Sequence, residues 1–347
     1  MDSHQDRAAA RLAWARDVLH DPALTLAPAS EDASFRSYWR TRHQGRSWIV
    51  MDSPPAQEDP RPWLAIGARL AAAGLHVPAV QAHDLARGFL LIEDLGARLY
   101  LTALDERTAD ALYGEAMAAL LRMQSRTQAA GLEPYDRAFL QRELALMPEW
   151  FLGRHLGHLP GPAETDILQA AGEVLLDSAL EQPRCFVHRD FHSRNLLVVE
   201  GEAADTRAAD LVSPGIIDFQ GALCGPVAYD LASLLRDCYI AWPRERVEGW
   251  VDGYRRQAQA AGIVDAGVDR GQFMRWFDLI GLQRHIKVLG IFCRLAYRDG
   301  KHGYLDDLAR VYRYVIEVAA GYPQLREMAA LLARAAGTRD LRKMADA

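Results

Sequence analysis

The sequence begins with a strand-rich part and continues as a long helical part, and this change limits the fold more than any other feature. Up to about residue 95, short runs rich in aromatic and β-branched residues alternate with turn signals. From about residue 102 onward, apolar residues recur at helical spacing in long windows. Strands at one end and helices at the other predict an α+β fold with two lobes, residues 1–95 and 96–347.

The predicted elements of the first lobe follow the order helix, strand, strand, helix, strand, strand. These elements cover residues 7–20, 34–42, 47–52, 60–73, 79–83 and 89–96. Between the second and third of them, His43-Gln44-Gly45 indicates a hairpin turn. The first lobe should therefore contain a small antiparallel sheet with a helix on either side of the hairpin in sequence.

The second lobe is predicted to be helical apart from one short β island. The helical windows are residues 105–130, 136–156, 164–181, 229–240, 244–262, 271–298 and 303–335. In the island, short apolar strands at 185–187, 196–199 and 215–219 bracket polar loops. Because polar loops between buried strands are common places for chemistry, we expect the active residues on this island.

Composition and charge exclude several classes of protein. The 347 residues are half apolar and one-quarter charged, as in a globular protein that buries a full core. The net charge of −6 argues against binding to nucleic acid or to a membrane surface. The sequence has neither an apolar run of about 18 residues nor a secretion signal. We therefore expect a cytoplasmic protein, with no membrane association and no evident protein partner.

The loop sequence H-R-D-F-H-S-R-N at residues 188–195 carries the strongest functional signal. An Asp followed five positions later by an Asn, with I-I-D-F-Q on the next hairpin at 216–220, is typical of a kinase active site. Phosphoryl transfer requires Mg²⁺ at the phosphates of ATP, and Asn195 and Asp218 carry the hard oxygen ligands that Mg²⁺ prefers. Asp190 is then predicted to orient a substrate hydroxyl and accept its proton.

Other residues near this loop have two interpretations each. Arg194 could neutralise the γ-phosphate and His192 could contact substrate or phosphate, but either could instead brace the loop. His188 is predicted to be structural. Asp230 opens the next helix, where it would interact with the helix dipole and anchor the backbone of the catalytic loop.

These motifs resemble the aminoglycoside phosphotransferase and choline kinase-like superfamily, whose members are small-molecule kinases with a bilobal protein-kinase-like fold. Asp230 follows Asp218 by only twelve residues and no A-P-E element intervenes, which disfavours a protein kinase. Further segments are similar to the anomeric N-acetylmuramate/N-acetylglucosamine kinases of peptidoglycan recycling. They read V-M-D-S-P-P (50–55), G-L-H-V-P (74–78), G-F-L-L-I-E-D-L-G (88–96), Y-D-L-A-S-L-L-R-D-C-Y-I-A-W-P (229–243) and Q-R-H-I-K-V-L-G-I-F-C-R-L (283–295). The resemblance implies that the C1 hydroxyl of the sugar is phosphorylated to the α-1-phosphate.

The first lobe departs from the general kinase pattern at its phosphate-binding elements. Met51 stands where a kinase has the lysine of its third strand, and the first glycine of the chain is Gly45, so a glycine-rich phosphate loop is missing. Ser34, Arg36 and Arg40 are the candidates to hold the phosphates instead. For the arginines the alternative is an exposed strand face, and this suits Arg40 better than Arg36.

The resemblance also implies how adenine is bound. The stretch E-D-L after F-L-L-I corresponds to the hinge of a kinase. Backbone groups of Glu93 and Leu95 would pair with adenine there, and Leu91 and Met51 would pack near its ring.

Candidate substrate contacts come from two later helices. Gln283, Lys287, Arg294 and Arg298 fall near one helical face. Such a stripe is usually solvated, but as a basic wall it would attract the carboxylate of N-acetylmuramate and repel a polycationic aminoglycoside. Arg236 lies on the polar side of the helix that begins near Asp230, where it could bind a sugar hydroxyl or pair with Asp237.

Three hypotheses remain open at this stage. The first is the amino-sugar kinase, and the second is a kinase of the same superfamily for an aminoglycoside, choline-like or homoserine-like substrate. The third is a pseudokinase that binds nucleotide and recruits partners. The missing lysine favours this third hypothesis, whereas the presence of Asp190, Asn195 and Asp218 opposes it.

Overall fold

The computed structural model describes residues 2–31, 35–199 and 213–344. The chain forms two compact units, and each is assembled from two stretches of sequence. The first unit comprises residues 1–119 and 194–221, and the second comprises residues 120–193 and 222–347. The predicted boundary near Leu95 was drawn where strands give way to helices in sequence, whereas these units are defined by which residues pack together. The two divisions differ in kind, and the predicted boundary stays a prediction.

An antiparallel sheet organises the first unit. Its five described strands lie in the order β1-β2-β3-β5-β4. They are β1 (Ala27–Glu31), β2 (Ser37–His43), β3 (Arg46–Asp52), β4 (Val80–Asp84) and β5 (Phe89–Glu93). The hairpin between β2 and β3 turns at Gln44 and Gly45, which both have positive φ, as a tight turn between twisted strands requires. The predicted hairpin is thus confirmed, whereas β1 was not predicted.

The helices of the first unit lie before, between and after the strands in sequence. They are α1 (Asp2–Leu19), α2 (Arg61–Ala72), α3 (Tyr100–Ala103) and the first part of α4 (Ala109–Arg126). One face of the sheet forms an apolar cluster with α1 that contains Trp14, Leu24, Val50, Phe89 and Leu91. Beside it, the buried carboxylate of Asp52 accepts hydrogen bonds from Arg7 and Arg11 of α1, both at 2.8 Å. Apolar packing and a buried ion pair therefore fix α1 to the end of β3.

The second unit is mainly helical. After α4 it contains α5 (Arg137–Leu144), a π-helix (Met147–His155), α6 (Pro162–Leu180), α7 (Tyr229–Leu235), α8 (Arg244–Ala260), α9 (Arg270–Tyr297), α10 (Leu308–Gly321) and α11 (Arg326–Ala336). Short 3₁₀ turns occupy His302–Asp307 and Pro323–Leu325. The helical windows predicted from apolar spacing are confirmed, except that 136–156 and 303–335 are divided into separate helices and 229–240 ends at Leu235.

Helix α9 is the centre of the second unit. It is 28 residues long, and most of its side chains are buried against the surrounding helices. The backbone of Leu146, just before the π-helix, approaches Gly290 so closely that an added Cβ would lie 2.4 Å from the Leu146 carbonyl carbon. Only glycine allows the two chain segments to pack at this distance.

The predicted β island consists of two short antiparallel pairs. In the second unit, β6 (Arg184–Val187) pairs with β9 (Leu223–Pro226). In the first unit, β7 (Leu196–Leu197) pairs with β8 (Gly215–Ile216). The loop of residues 188–195 joins β6 to β7, so the chain passes from one unit to the other between Ser193 and Arg194. Across the described residues, no helix has the length and apolarity needed to span a membrane.

Candidate active site

The loop that follows β6 is anchored by a buried carboxylate in the first turn of α7. The two oxygens of Asp230 accept hydrogen bonds from the N–H groups of His188 (2.7 Å) and Arg189 (3.0 Å). Burial raises the pKa of Asp230 to about 7, although both N–H donors favour its ionised form. The predicted role of Asp230 as an anchor of the loop backbone is confirmed.

Asp190 follows these anchored residues directly and is half-buried. Its carbonyl oxygen accepts a hydrogen bond from the N–H of His192 at 3.1 Å, which gives the loop a tight local turn. Burial would raise the pKa of the Asp190 carboxyl group, but nearby positive charges, first among them Lys287, outweigh it and lower that pKa. The carboxylate is therefore ionised at neutral pH, as a group that accepts a proton must be.

A second buried carboxylate holds the loop further along. Asp237 accepts hydrogen bonds from the N–H (3.0 Å) and from the hydroxyl group of Ser193. The ring of His192 is buried and meets Tyr239 edge to face, with the ring centroids 5.5 Å apart. Two acids of the α7 region, Asp230 and Asp237, thus fix the loop segment on both sides of Asp190.

Arg236, one of the predicted substrate contacts, lies at the end of α7 and is buried. Its guanidinium group lies 5.1 Å from the ring centroid of Tyr314, and its carbonyl oxygen accepts a hydrogen bond from His285 Nε2 at 2.8 Å. Burial lowers the pKa of Arg236, and the positive charge of Arg244 lowers it further. These contacts tie Arg236 to neighbouring helices, and its contact with a sugar stays a prediction.

Lys287, another predicted substrate contact, is buried within α9. Its Nζ donates a hydrogen bond to the hydroxyl group of Tyr229 (2.9 Å) and lies 3.2 Å from Glu143 Oε1. Gln283, one turn earlier, is also buried. The expectation of a solvated face is wrong for Gln283 and Lys287, because polar partners from other segments cover them, whereas Arg298 just after α9 is exposed. A basic wall toward the substrate stays a prediction.

Asp218 lies in the first unit, two residues after β8. Its carboxylate accepts hydrogen bonds from Gln220 Nε2 (2.8 Å), Arg36 Nη2 (3.0 Å) and Asn195 Nδ2 (3.4 Å). The side chain is 32% exposed, and its φ of 63° is a conformation that Asp adopts more readily than most residues. The structure therefore brings the two predicted metal ligands, Asn195 and Asp218, together with the predicted phosphate ligand Arg36.

Phe219 supports this turn from behind. Its ring is fully buried and packs on Trp63 of α2, with the ring centroids 5.1 Å apart. A Cβ added to Gly67, one turn further along α2, would lie 3.3 Å from the edge of the Phe219 ring. Helix α2 and the Asp-Phe turn are thus in close contact, so that the position of Asp218 depends on this aromatic pair.

Arg36 is the buried cation of this group. Besides Asp218, its guanidinium group pairs with Glu58, with 3.3 Å between Nε and Oε1. Met51, in β3, is fully buried and carries no charge at the position where a kinase has lysine. Ser34, the other predicted phosphate ligand, lies outside the described residues.

Arg40 is engaged elsewhere in the first unit. Its guanidinium group donates two hydrogen bonds to the carboxylate of Asp94, at 2.6 and 3.0 Å. Burial would raise the pKa of Asp94, but these bonds, together with one from Ser47, outweigh burial and lower it. Arg40 therefore braces the segment after β5. This agrees with the preference for Arg36 over Arg40 as a phosphate ligand in the sequence analysis.

The two side chains predicted to flank adenine lie on opposite faces of the sheet. Leu91 is paired with Val50 and Met51 with Leu90, and side chains alternate along each strand. Leu91 belongs to the apolar cluster under α1, so Met51 points to the other face. The prediction that Leu91 and Met51 lie beside the same ring is wrong, and the sheet register gives the reason.

The hinge residues Glu93 and Leu95 are each tied to the first unit. The N–H of Glu93 donates to the carbonyl oxygen of Ala79 (2.8 Å), and its carboxylate lies 3.1 Å from His76 Nε2. Leu95 is buried against Leu197 of β7. Because the Glu93 N–H is engaged, its carbonyl oxygen is the group that it can offer to adenine.

The structure assembles the predicted residues in two groups, one in each unit. Asp190 and His192 lie in the second unit, and Arg36, Asn195 and Asp218 lie in the first. Arg194 is exposed. Sequence reasoning missed three acids as partners of Arg36, Lys287 and Ser193, because no sequence motif links an acid to a partner many residues away; they are Glu58, Glu143 and Asp237.

The sequence matches the family described as "Phosphotransferase enzyme family" over residues 25–272. Among curated proteins, the N-acetylmuramate/N-acetylglucosamine kinase of Pseudomonas aeruginosa is 45% identical and aligns with 90% of this chain and 89% of its own length. The protein of the same name from Pseudomonas putida is 43% identical, and the alignment covers 96% and 98% of the two chains. That of Neisseria meningitidis is 38% identical over 94% and 96%. The relatives thus extend over nearly the whole chain.

Solved structures establish the fold. A thermostable mutant of aminoglycoside phosphotransferase APH(4)-Ia superposes with a TM-score of 0.59 at 16% identity, over 90% of this chain and 99% of the other. An ethanolamine kinase of Plasmodium vivax superposes with a TM-score of 0.62 at 10% identity, over 92% and 89%. The predicted α+β, protein-kinase-like fold is confirmed. Together with the family match, this similarity shows that the chain belongs to the phosphotransferase enzyme family.

Proposed function

We propose that the chain is an ATP-dependent kinase that phosphorylates the anomeric C1 hydroxyl of N-acetylmuramate, N-acetylglucosamine or both, giving the α-1-phosphate. The observation that carries this substrate is that relatives named for these two sugars are 38–45% identical and align with nearly the whole chain. Structures named for aminoglycosides share only the fold, at identities near 16%. A small-molecule sugar therefore fits better than an aminoglycoside, choline-like or homoserine-like acceptor.

Asp190 is proposed to serve the sugar hydroxyl. The C1 oxygen would form its bond to the γ-phosphorus while the bond from that phosphorus to ADP breaks, and the hydroxyl proton would pass to the Asp190 carboxylate. The low pKa of Asp190 suits a late proton transfer, since the hydroxyl becomes strongly acidic only as its oxygen bonds to phosphorus. The anchors Asp230 and Asp237 support the role by restraining the loop backbone.

Asn195 and Asp218 are proposed to hold Mg²⁺ on the phosphates. Both side chains offer the hard oxygen ligands that Mg²⁺ prefers, and two protein ligands would leave its other positions to phosphate oxygens and water. The Asp218 side chain is 32% exposed, so its carboxylate is accessible to a metal ion, which would share it with Arg36. When bound, Mg²⁺ would bridge the phosphate oxygens and neutralise the charge that develops during transfer.

Arg36 and Arg194 are proposed to contact the phosphates, together with Ser34, which stands two residues before Arg36 in sequence. Arg36 would supply the positive charge that lysine supplies in other kinases, and Glu58 would orient it as an acid orients that lysine. Exposed Arg194, four residues after Asp190, would neutralise the γ-phosphate. This arrangement explains how Met51 can occupy the lysine position without loss of the activity.

Adenine and sugar contacts complete the proposal. Met51 would pack against the adenine ring, and the carbonyl oxygen of Glu93 and the N–H of Leu95 would pair with its edge. Leu91 would only support the sheet from its other face. For the sugar we retain His192 as a contact. The contact of Arg236 with Tyr314 and the pairing of Lys287 with Glu143 favour a supporting role for both.

A panel assay tests the proposed function. ADP release with Mg²⁺ and ATP would be measured with N-acetylmuramate, N-acetylglucosamine, kanamycin, choline and homoserine. We expect turnover with one or both amino sugars, and phosphorus NMR should identify a C1 phosphate of α configuration. Turnover of kanamycin or choline with neither sugar would refute the proposal, and so would a phosphate on any other hydroxyl.

A further inference from the structure

A buried polar cluster lies under the loop of residues 188–195 in the second unit, and it has no part in the catalytic contacts proposed above. We call it the Glu143 cluster. Its members are Glu143 of α5, Tyr135 just before α5, Arg189 of the loop, Tyr229 of α7, and Gln283 and Lys287 of α9. Four separate segments of the second unit therefore meet in this cluster.

Both oxygens of Glu143 are fully engaged. Oε1 accepts a hydrogen bond from Arg189 Nη2 (2.8 Å) and lies 3.2 Å from Lys287 Nζ. Oε2 accepts hydrogen bonds from the hydroxyl group of Tyr135 and from Gln283 Nε2 (3.2 Å). The side chain is only 8% exposed, so these partners replace water around the charge.

One buried carboxylate thus faces two buried or partly buried cations. Burial would raise the pKa of Glu143, but the charges of Lys287 and Arg189 outweigh it, so that its pKa is lowered and the group stays ionised. Buried ion pairs contribute little net stability, because the loss of hydration offsets the attraction between the charges. The cluster therefore calls for an explanation other than stability.

Arg189, the residue just before Asp190, is restrained at two points. Asp230 binds its backbone N–H at 3.0 Å, and Glu143 binds its guanidinium group at 2.8 Å. Its φ of 78° is unfavourable for a residue with a long side chain and persists only where the surroundings impose it. Because the position of Asp190 follows from the conformation of Arg189, the two restraints together set where the Asp190 carboxylate points.

A second connection runs from Glu143 to the same loop. Lys287 lies against Glu143 and donates a hydrogen bond to the hydroxyl group of Tyr229 at 2.9 Å. Tyr229 is the first residue of α7 and directly precedes Asp230. Both ends of the Asp230 anchor, the loop that it binds and the helix that carries it, are thus linked to Glu143.

We propose that Glu143 is a positioning residue for the phosphoryl transfer, which holds the Asp190 carboxylate in its working orientation through Arg189 and through Lys287 and Tyr229. This inference rests on the proposed function only in that Asp190 acts on the acceptor hydroxyl. Glu143 itself touches neither sugar nor nucleotide in this scheme. Its loss should therefore slow the chemical step without weakening nucleotide binding.

The test compares Glu143→Gln with wild type in kcat, with single-turnover kinetics to isolate the chemical step. The KM of each substrate is measured as well, and calorimetry gives the affinity for ADP. We expect kcat to fall by about 10²-fold, the size of effect that follows a small misplacement of a catalytic group. The KM for ATP and the affinity for ADP should stay within about twofold of wild type, because the nucleotide residues lie in the first unit.

Glu173→Gln is the matched control. Like Glu143, Glu173 pairs with an arginine. Its partner is Arg137 of α5, and both of these side chains are exposed. Exposed ion pairs contribute little, so this variant should keep wild-type kcat. Glu143→Gln with kcat within about threefold of wild type would overturn the proposal, as would an equal loss of kcat in the Glu173 control.

Two further variants separate positioning from folding. Glu143→Asp keeps the charge and shortens the side chain, so if Glu143→Gln does not fold, a folded Glu143→Asp with reduced kcat and normal ADP affinity supports the proposal, and unchanged kcat overturns it. The double variant Arg189→Met with Glu143→Gln should lose no more kcat than the more damaging single variant, because both changes break the same Arg189–Glu143 connection. Additive losses would contradict that connection.

Failure of this inference can be told apart from failure of the proposed function. If the wild-type enzyme turns over an acceptor other than the amino sugars, the same kcat comparison is made with that acceptor. The panel assay then refutes the substrate, whereas only the Glu143 variants decide whether Glu143 positions Asp190.

Discussion

Asp190 and Asp218, the two carboxylates with the clearest sequence signals, are held in contrasting ways. The loop segment around Asp190 is bound by the buried acids Asp230 and Asp237 and lies among cations of packed helices. Asp218 sits in a half-exposed turn and accepts hydrogen bonds from Arg36, Asn195 and Gln220 side chains. Buried acids thus hold the backbone of the Asp190 loop, whereas side-chain donors surround the carboxylate of Asp218.

This difference matches the roles proposed for the two groups. A group that accepts a proton works only within a narrow range of position, so a preorganised network around it is useful. A metal ligand instead exchanges its partners when the ion and the phosphates bind, and side-chain donors at a half-exposed turn can move aside. Each prediction below tests one side of this contrast.

The largest effect is expected at Asp190. Asp190→Asn removes the proton acceptor but keeps the size of the side chain, so turnover should fall by about 10²–10⁴-fold while nucleotide still binds. Steady-state kinetics together with calorimetric titration of ADP measure both quantities. Unchanged turnover would show that this rigidly held carboxylate has no part in the transfer.

The next largest effect concerns the Asp230 anchor and pH. Its pKa is raised from 3.8 in the unfolded chain to about 7, so its contribution to stability is complete below about pH 4 and is lost as the pH rises towards 7. Asp230→Asn does not titrate, so between pH 5 and pH 7 wild type should lose about 2–3 kcal/mol of unfolding free energy relative to the variant. Urea unfolding at both pH values measures this difference. Parallel pH dependence of the two proteins would contradict the raised pKa.

On the Asp218 side, Arg36→Met should weaken the binding of phosphate groups. Loss of a charge-assisted contact corresponds to about 10-fold or more in the dissociation constant of ATP. Adenosine, which lacks phosphates, should bind as well as it does to wild type. Arg40→Met is the control, because Arg40 is paired with Asp94 and should leave the ratio of ATP to adenosine affinity unchanged. Equal losses for ATP and adenosine would instead indicate general damage to the first unit.

Two glycines, one in each unit, should affect stability without a direct effect on substrate or nucleotide contacts. Gly290→Ala should destabilise the protein by about 1–3 kcal/mol, since the new Cβ would lie 2.4 Å from backbone that cannot move away. Gly67→Ala should change stability by less than about 1 kcal/mol, because the Phe219 ring edge at 3.3 Å can shift and alanine favours the helix. Thermal unfolding of both variants measures the contrast. Similar losses in both would argue that the Asp218 turn is as rigid as the core around α9.

Much of the fold could be predicted from the sequence, because apolar spacing and turn residues report local conformation directly. The hairpin at Gln44-Gly45, the helix before Gly74 and the long helix α9 follow from such signals. Strand β1, with Pro28 and few apolar residues, gave no strand signal and forms only because β2 offers it a partner. The segment 147–155 lies in a predicted helical window, but apolar spacing did not show that it is a π-helix, which packs against α9.

In the candidate site, too, some features follow from local sequence and others are decided by packing. Asp190, Asn195 and Asp218 could be proposed from the sequence, because phosphoryl transfer requires such oxygen groups at that spacing whatever surrounds them. By contrast, Lys287 was expected on a basic surface and is buried against Glu143. Helical spacing tells which side chains share a face, but not whether a polar face meets water or a polar partner.

The sequence by itself thus indicated phosphoryl transfer and the class of fold. The short link between Asp218 and Asp230, which favours a small substrate, was also evident from the sequence alone. Only the tertiary structure decided the partners: Arg36 with Asp218, Glu143 with Arg189, and Leu91 on the face opposite Met51. The physical reason is distance along the chain. Residues 182 positions apart meet only after the sheet and its loops have folded, and the charge and burial that result are properties of that meeting.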